Sequence, residues 1–154
     1  MPRGTAAILR DYDAPRRAAL AARLVAICRR RGVLFLVAGD AELARAVGAD
    51  GVHLSARSSR PPLSRTPGLL TVSCHDREEM SRAAAWGADA VFLSPIFPTL
   101  SHPGAAVLGP AGFRALAAAQ KTPVLALGGV DAGNAGSLAG RNIVGFGAIG
   151  AFAG

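Results

Sequence analysis

The sequence predicts an α/β fold built on parallel strands, and within that class a (β/α)8 TIM-type barrel that lacks its first strand. Short runs rich in Val, Ile, Leu and Phe alternate with longer Ala- and Arg-rich stretches of helical period. The runs are apolar on both faces, as expected of a parallel sheet covered on both sides. Gly-Ala-Asp precedes such a run twice, in residues 48–54 and 87–93, and this spacing favours a barrel over an open doubly wound sheet.

Seven strands and five helices are expected along the chain. The predicted strands are residues 5–10, 33–38, 51–54, 69–74, 89–94, 123–128 and 144–149. The predicted helices are residues 14–31, 40–47, 76–86, 110–119 and 132–139, with Asp13, Asp40, Asp76 and Asp131 as their caps. Gly48 and Gly87 are expected to end the helices before them. Residues 55–68 are expected to form one loop or a collapsed helix of a repeating unit.

The strand count sets the expected domain organisation. No Pro- and Ser-rich linker divides the chain, so residues 1–154 are expected to form a single barrel domain. Seven strands are one fewer than the eight of a complete barrel. We therefore expect that a first strand, and a last helix after residue 154, have been lost through a mis-assigned start or a truncation.

Composition narrows the function classes. The net charge of +7 comes from arginines spread along the chain, and only 5% of residues are aromatic. This pattern favours solvated helix faces, with anion binding by a few arginines as the alternative, and we expect no nucleic-acid partner. Cys28 and Cys74 are too few for a disulfide framework and are expected to be reduced packing residues. Without an apolar run of membrane-spanning length or a signal peptide, a cytoplasmic protein without a membrane partner is expected.

Polar and glycine-rich segments follow two of the predicted strands. In a barrel of this type the chemistry lies where strands end, so these segments are the candidate site. Backbone N–H groups at the Gly-Gly corner and after the last strand favour a phosphate pocket, whereas the alternative is that the glycines only turn the chain. The residues of this pocket are Gly128, Gly129, Ile149 and Gly150, with the hydroxyls of Thr99 and Ser101 beside them.

Four segments carry a resemblance to a known family. They are GDAELARAVGADGVHL, TVSCHDREEMSRAAAWGADAVFLSPIFPTLSHPGAAVLG, PVLALGGV and VGFGAIGAF, which cover most of residues 34–152. Together they resemble the thiamine phosphate synthases and their thiazole tautomerase (TenI) relatives. The resemblance implies an eight-stranded barrel that joins hydroxymethylpyrimidine diphosphate to thiazole phosphate and releases diphosphate.

The resemblance also implies roles for individual residues. Arg10 and Ser73 match the pyrimidine-diphosphate site, and the hydroxyls of the Phe-Pro-Thr loop fall on Thr99 and Ser101. His102 stands where the family has a lysine, and we take it with Arg10 and Ser73 as the catalytic candidates. The residues that match the thiazole phosphate site are Gly129, Ile149 and Gly150.

The chain departs from the family at its magnesium ligands. The family's Asn-Asp pair is Ala38 and Gly39 here, and Ser58 replaces a second aspartate. We therefore expect no protein ligands for Mg²⁺, which is the family's cofactor, and we expect Asp40 to serve as a helix cap. The glutamine and lysine that flank the family's arginine are Ile8 and Tyr12. Arg10, Arg57 and Arg60 are the guanidinium groups expected to balance the diphosphate charge instead.

Three histidines have two interpretations each. His53 lies in a strand and is either buried and hydrogen-bonded or directed into the barrel. His75 either lines the pocket or marks the entry to a helix. His102 either donates to an anion and moves a proton or is an exposed loop residue. Tautomerases place a histidine at the position that is Pro95 here, so the sequence does not favour that activity.

The sequence therefore favours an enzyme, a divergent transferase of the thiamine phosphate synthase type that acts on phosphorylated small molecules. A non-catalytic module that binds thiazole phosphate, and a tautomerase-like isomerase, are the alternatives. An unrelated barrel acting on a phosphorylated sugar is a third and weaker alternative. Assembly into a homo-oligomer stays open.

Overall fold

A computed structural model of the chain describes residues 4–57, 68–99, 104 and 106–149. The chain divides into two compact units, residues 1–71 and 72–154. The described strands are β1 (Ala6–Leu9), β2 (Leu34–Ala38), β3 (Gly51–Ser55), β4 (Leu69–Cys74), β5 (Ala90–Leu93), β6 (Val124–Ala126) and β7 (Ile143–Phe146). The helices are α1 (Arg17–Arg30), α2 (Ala41–Val47), α3 (Arg77–Ala85) and α4 (Gly109–Ala118), and a 3₁₀ helix spans Ala135–Leu138.

The predicted strands are confirmed as parallel strands of one sheet. Their hydrogen-bonded order is β1-β2-β3-β4-β5-β6-β7, which follows the chain. In the first unit Val37 of β2 pairs with Val52 of β3, and in the second unit Phe92 of β5 pairs with Leu125 of β6, both in parallel register. A helix separates most consecutive strands, as a parallel connection requires. The observed architecture is thus a seven-stranded parallel α/β sheet with helices.

The core of the first unit forms between α1, α2 and the apolar strands. Ala21, Val25 and Cys28 lie on one face of α1 at helical spacing, and all three are buried. They belong to the same apolar cluster as Phe35 and Val37 of β2, which are almost fully buried. This cluster fixes the ends of β1 and β2, where the first candidate site residues lie.

The second unit has its own set of fully buried apolar side chains. Phe113 of α4, Met80 of α3 and Val91 of β5 are each 1% exposed or less. Ile96, in the loop after β5, is also completely buried. Because a core side chain holds that loop, its backbone is anchored at the carboxyl end of β5.

Two of the four predicted helix caps are confirmed. The Asp40 carboxylate accepts a hydrogen bond from the Leu43 N–H at 2.8 Å, and the Asp76 carboxylate accepts one from the Glu79 N–H at 2.8 Å. Each therefore satisfies a backbone donor in the first turn of its helix. Gly48, the C-cap of α2, and Gly87, which follows the C-cap of α3, adopt positive φ and end their helices as predicted.

The other two cap predictions are wrong. Helix α1 begins three residues later than predicted, and its N-cap is Arg16 in the left-handed conformation, not Asp13. Asp131 does not cap an α-helix over residues 132–139, because only a 3₁₀ turn forms there and Asn134 precedes it. The Asp131 carboxylate instead accepts from the N–H groups of Gly133 and Asn134 in a tight turn.

The prediction that the two cysteines are packing residues is confirmed. Cys28 and Cys74 are both buried free thiols, and burial raises their pKa, that of Cys74 to about 12. Both are therefore protonated packing residues.

Across the described ranges, none of the helices has the length and apolar character needed to cross a bilayer. Most of the predicted loop at residues 55–68 lies outside the described residues.

Candidate functional site

Two loops of the second unit meet at the carboxyl ends of β5 and β6. After β6, the carbonyl of Leu127 accepts from the Ile96 N–H and the carbonyl of Gly128 accepts from the Phe97 N–H, both at 3.0 Å. The Leu127 N–H donates in turn to the Leu93 carbonyl at 3.0 Å. The loop after β5 is therefore fixed by backbone hydrogen bonds alongside the Gly-Gly corner.

The bonded carbonyls set the direction of the N–H groups that follow them. In a trans peptide the C=O of one residue and the N–H of the next point in opposite directions. Because the carbonyls of Leu127 and Gly128 face the loop after β5, the N–H groups of Gly128 and Gly129 face away from it. Neither N–H donates to any residue in the described part of the chain. Two successive N–H groups of this kind at a strand end can hold an anion.

The corner requires glycine for two separate reasons. Gly128 and Gly129 adopt φ of +89° and +65°, which residues with a side chain rarely do. A Cβ on Gly129 would also lie 2.5 Å from the Pro98 carbonyl oxygen and 2.8 Å from the Cβ of Phe97. The glycines do turn the chain, as the alternative interpretation required, and the same turn leaves their N–H groups without an acceptor among the described residues.

The Asn134 side chain also contacts the Gly-Gly corner. Its Nδ2 donates to the Gly129 carbonyl at 2.8 Å, and its Oδ1 accepts from the Asp131 N–H at 3.0 Å. The Asp131 carboxylate accepts from the Asn134 N–H at 3.0 Å. Each of the two side chains therefore accepts a hydrogen bond from the backbone N–H of the other residue. Sequence reasoning missed Asn134, although the Asp-x-x-Asn spacing directly after Gly-Gly-Val was the available signal.

The remaining predicted site residues of the second unit also follow strand ends. Ser73 is the penultimate residue of β4, and Thr99 lies in the loop after β5. Both are half-buried, whereas Ile149, three residues after β7, is 55% exposed. Their roles in binding stay predictions. Ser101, His102 and Gly150, together with Ser58 and Arg60, lie outside the described residues.

His75 marks the entry to α3, which was one of its two interpretations. Its backbone N–H donates to Glu79 Oε2 at 2.7 Å, and its Nδ1 lies 2.8 Å from the same oxygen. The Asp76 carboxylate accepts from the Glu79 N–H and the Glu79 carboxylate accepts from the His75 N–H, so the two acids together hold the start of the helix. Because Glu79 is buried, this arrangement fixes the chain directly after Ser73.

In the first unit, Arg17 fixes the backbone on both sides of Arg10. Arg10 follows β1 and is exposed. The Arg17 Nε donates to the Asp11 carbonyl at 2.8 Å, and its Nη2 lies 3.4 Å from the Leu9 carbonyl. The same Nη2 donates at 2.7 Å to the Ala38 carbonyl, which ends β2. Arg17 is thus a fixed structural cation that sequence reasoning missed because it lies on a helix, eight residues beyond the end of β1 at Leu9.

The described residues do not fit the magnesium ion that the family resemblance implies. Gly39 carries no ligand, and the Tyr12 ring packs against it, so that a Cβ there would lie 3.0 Å from the Tyr12 Cε1. Asp40 caps α2 and lies 3.6 Å from the Arg17 Nη1. The described ranges contain no group of three His, Cys, Asp or Glu side chains arranged to hold a metal. Mg²⁺ prefers several oxygen ligands, and this strand end does not supply them.

His53 is buried and hydrogen-bonded, as one of its interpretations predicted. It is 7% exposed, and its Nδ1 lies 3.0 Å from the Thr71 hydroxyl. Burial, and then the positive charge of Arg10, lower the pKa of His53 to about 4. The imidazole is therefore neutral near pH 7.

A parallel α/β fold whose Gly-Gly corner carries backbone N–H groups with no acceptor in the described part of the chain defines a protein with a candidate anion site at its strand ends. The chain belongs to the thiamine monophosphate synthase family, whose model matches residues 3–152. The resemblance found in the sequence is thereby confirmed.

Individual relatives agree with the family. A thiamine-phosphate synthase from Chromobacterium violaceum is 43% identical, over 80% of this chain and 62% of its own length. One from Thioalkalivibrio sulfidiphilus is 36% identical, over 84% of this chain and 64% of its own length. The solved thiamine phosphate pyrophosphorylase from Pyrococcus furiosus is 29% identical, with a TM-score of 0.82 over 95% of this chain and 73% of that one. The chain thus spans less than two thirds of the two synthase sequences.

Proposed function

We propose that the chain acts in thiamine biosynthesis as a thiamine phosphate synthase, joining hydroxymethylpyrimidine diphosphate to thiazole phosphate with release of diphosphate. The observation that carries this proposal is the pair of N–H groups at Gly128 and Gly129, for which the described ranges provide no acceptor. The family match and the synthase relatives support the choice of substrates.

The Gly-Gly corner is the proposed anchor for the phosphate of the thiazole substrate. A phosphate monoester is an acceptor with several charged oxygens, and backbone N–H groups bind it without the side-chain entropy that a lysine would lose. Charge-assisted hydrogen bonds of this type are about twice as strong as neutral ones. Ile149 and Gly150, after β7, are the further backbone groups that we propose for the same phosphate.

Arg10 is the proposed ligand of the diphosphate group. It follows β1, its backbone is held by Arg17, and a guanidinium binds phosphate oxygens in pairs. The reaction forms a bond from the pyrimidine to the thiazole and breaks the bond to diphosphate, so negative charge grows on the leaving group. A guanidinium beside the leaving group stabilises that charge. Ser73, Thr99, Ser101 and His102 are proposed as hydrogen-bonding groups for the substrates.

We also propose that the sheet belongs to a closed barrel. An eight-stranded (β/α) barrel, of which the seven described strands would form the larger part, is the closed form that this sheet order supports.

The non-catalytic alternative draws on one observation, the glycine at position 39 under the Tyr12 ring. A protein without ligands for the metal, whose charge contributes several kcal/mol, would retain binding and lose much of its rate.

One incubation separates these functions. The 154-residue chain is mixed with hydroxymethylpyrimidine diphosphate and thiazole phosphate, with Mg²⁺ or with EDTA, and thiamine phosphate is measured by mass spectrometry. The synthase proposal predicts product, and predicts that Arg10→Gln lowers kcat/KM by about tenfold to a hundredfold. Arg23→Gln, an exposed arginine on α1, is the matched control and should leave kcat/KM unchanged.

The other possible results of this incubation lead to different conclusions. Saturable binding of thiazole phosphate without product supports the non-catalytic module. If neither product nor binding is observed, both proposals are contradicted. Product formed equally well by the Arg10→Gln variant would keep the activity but remove Arg10 from the diphosphate site.

A further inference from the structure

Asn134 holds the peptide group that follows the Gly-Gly corner. Its Nδ2 donates to the Gly129 carbonyl at 2.8 Å, and that carbonyl belongs to the same peptide group as the Val130 N–H. The Asn134 side chain is itself held, because its Oδ1 accepts from the Asp131 N–H and its backbone N–H donates to the Asp131 carboxylate. The amide therefore has a fixed orientation on both of its polar atoms.

The orientation of this peptide group determines what Val130 can do. With the Gly129 carbonyl turned towards Asn134, the Val130 N–H points away from Asn134. Within the described residues this N–H has no acceptor, and Val130 is only 6% exposed. An unpaired donor in a buried residue carries a free-energy cost that a bound acceptor relieves. The Val130 N–H thus follows the two glycine N–H groups as a third donor.

We propose that Asn134 is a positioning residue for phosphate binding, because its hydrogen bond to the Gly129 carbonyl aims the Val130 N–H at the phosphate. This inference rests on the proposed binding of thiazole phosphate at the Gly-Gly corner and adds to it a third backbone donor and the side chain that orients it. Asn134 itself does not touch the ligand.

The test compares thiazole phosphate with the same thiazole alcohol lacking the phosphate. Asn134→Ala is expected to weaken the affinity for thiazole phosphate by about threefold to tenfold, the effect of one lost or misaligned hydrogen bond. The affinity for the alcohol should not change, because the alcohol has no phosphate for Val130 to bind. A general loss of structure would instead weaken both ligands together.

Asn142→Gly is the matched control. The Asn142 side-chain amide donates to the carbonyls of Ala117, Gln120 and Thr122, so it too ties backbone together, but it precedes β7 and lies away from the corner. Glycine retains its positive φ of 65°. This variant should lose thermal stability and keep the affinity for thiazole phosphate.

A measurement on the unmodified chain tests the inference even where Asn134→Ala does not fold. In ¹⁵N-labelled protein, thiazole phosphate should move the amide proton of Val130 downfield together with those of Gly128 and Gly129. Shifts at the two glycines but not at Val130 would overturn the role of Asn134 and leave the proposed function intact. No shift at any of the three would overturn the proposed function itself.

Discussion

The Thr71 hydroxyl lies 3.0 Å from Nδ1 of His53, and both residues are buried. Burial first and Arg10 second lower the pKa of His53 from 6.5 to about 4. As the pH falls from 6.5 to about 4, the unfolded chain binds a proton at His53 and the folded chain does not. We therefore expect the fold to lose about 3 kcal/mol of stability from this residue over that interval.

Denaturation of His53→Gln at pH 7 and pH 4 measures this effect. The difference in unfolding free energy between the wild type and His53→Gln should shrink or reverse at pH 4. Thr71→Val should retain most of the pH dependence, because burial is the larger cause of the shift. An equal difference at both pH values would show that His53 titrates as an ordinary exposed histidine.

Arg17 should contribute to stability far beyond a surface arginine. Its side chain is 14% exposed, and its guanidinium donates to backbone carbonyls that follow β1 and end β2. Arg17→Ala leaves these carbonyls without a donor and should cost about 3 kcal/mol. Arg23→Ala, on the exposed face of the same helix, should change the unfolding free energy by less than about 0.5 kcal/mol. Equal effects in urea denaturation would contradict the bridging role.

The Gly-Gly corner should be less tolerant of a side chain than other glycines with positive φ. Gly32 and Gly129 have nearly the same φ, +63° and +65°, but a Cβ on Gly32 meets nothing within 4 Å. Gly32→Ala should therefore cost about 1 kcal/mol, the effect of backbone conformation alone. Gly129→Ala should cost clearly more, since its Cβ overlaps Pro98 and Phe97. Equal losses in thermal denaturation would refute the close packing of the two loops.

The helix caps allow a direct test of the corrected helix boundaries. Asp76→Ala should destabilise the chain by about 1 kcal/mol, because the Glu79 N–H loses its acceptor. Asp13→Ala should have almost no effect, because α1 begins after Arg16 and has no side-chain cap. A comparable loss in Asp13→Ala would restore the boundary that the sequence predicted.

Most of the fold was predictable from the sequence because the parallel strands are apolar on both faces. Phe35 and Val37 are both buried, so the run containing them could be assigned without tertiary information. The start of α1 was not predictable from the local sequence, in which Asp13 is a favourable cap. The Arg17 guanidinium instead donates to the distant carbonyls of Asp11 and Ala38, and the helix begins at Arg17. The short helix after β6 failed as an α-helix because Asp131 and Asn134 bond each other in a turn.

The candidate site was predictable only where backbone conformation dictates the residue type. Gly128 and Gly129 stood out because glycine adopts positive φ, and their position after β6 gave them a role. Arg17 acts through backbone carbonyls and has no distinctive local pattern, whereas the Asp-x-x-Asn spacing after Gly-Gly-Val was the one available signal for Asn134. Thr71 became relevant only through its hydrogen bond to His53, 18 residues away.

The proposed function depends most on phosphate binding at the Gly-Gly corner, and a crystal structure of the chain with thiazole phosphate tests it most directly. We expect phosphate oxygens within about 3 Å of the Gly128 and Gly129 nitrogens, with the carbonyls of Leu127 and Gly128 still bonded to Ile96 and Phe97. A phosphate bound away from the corner, or glycine N–H groups that donate to protein carbonyls, would contradict it.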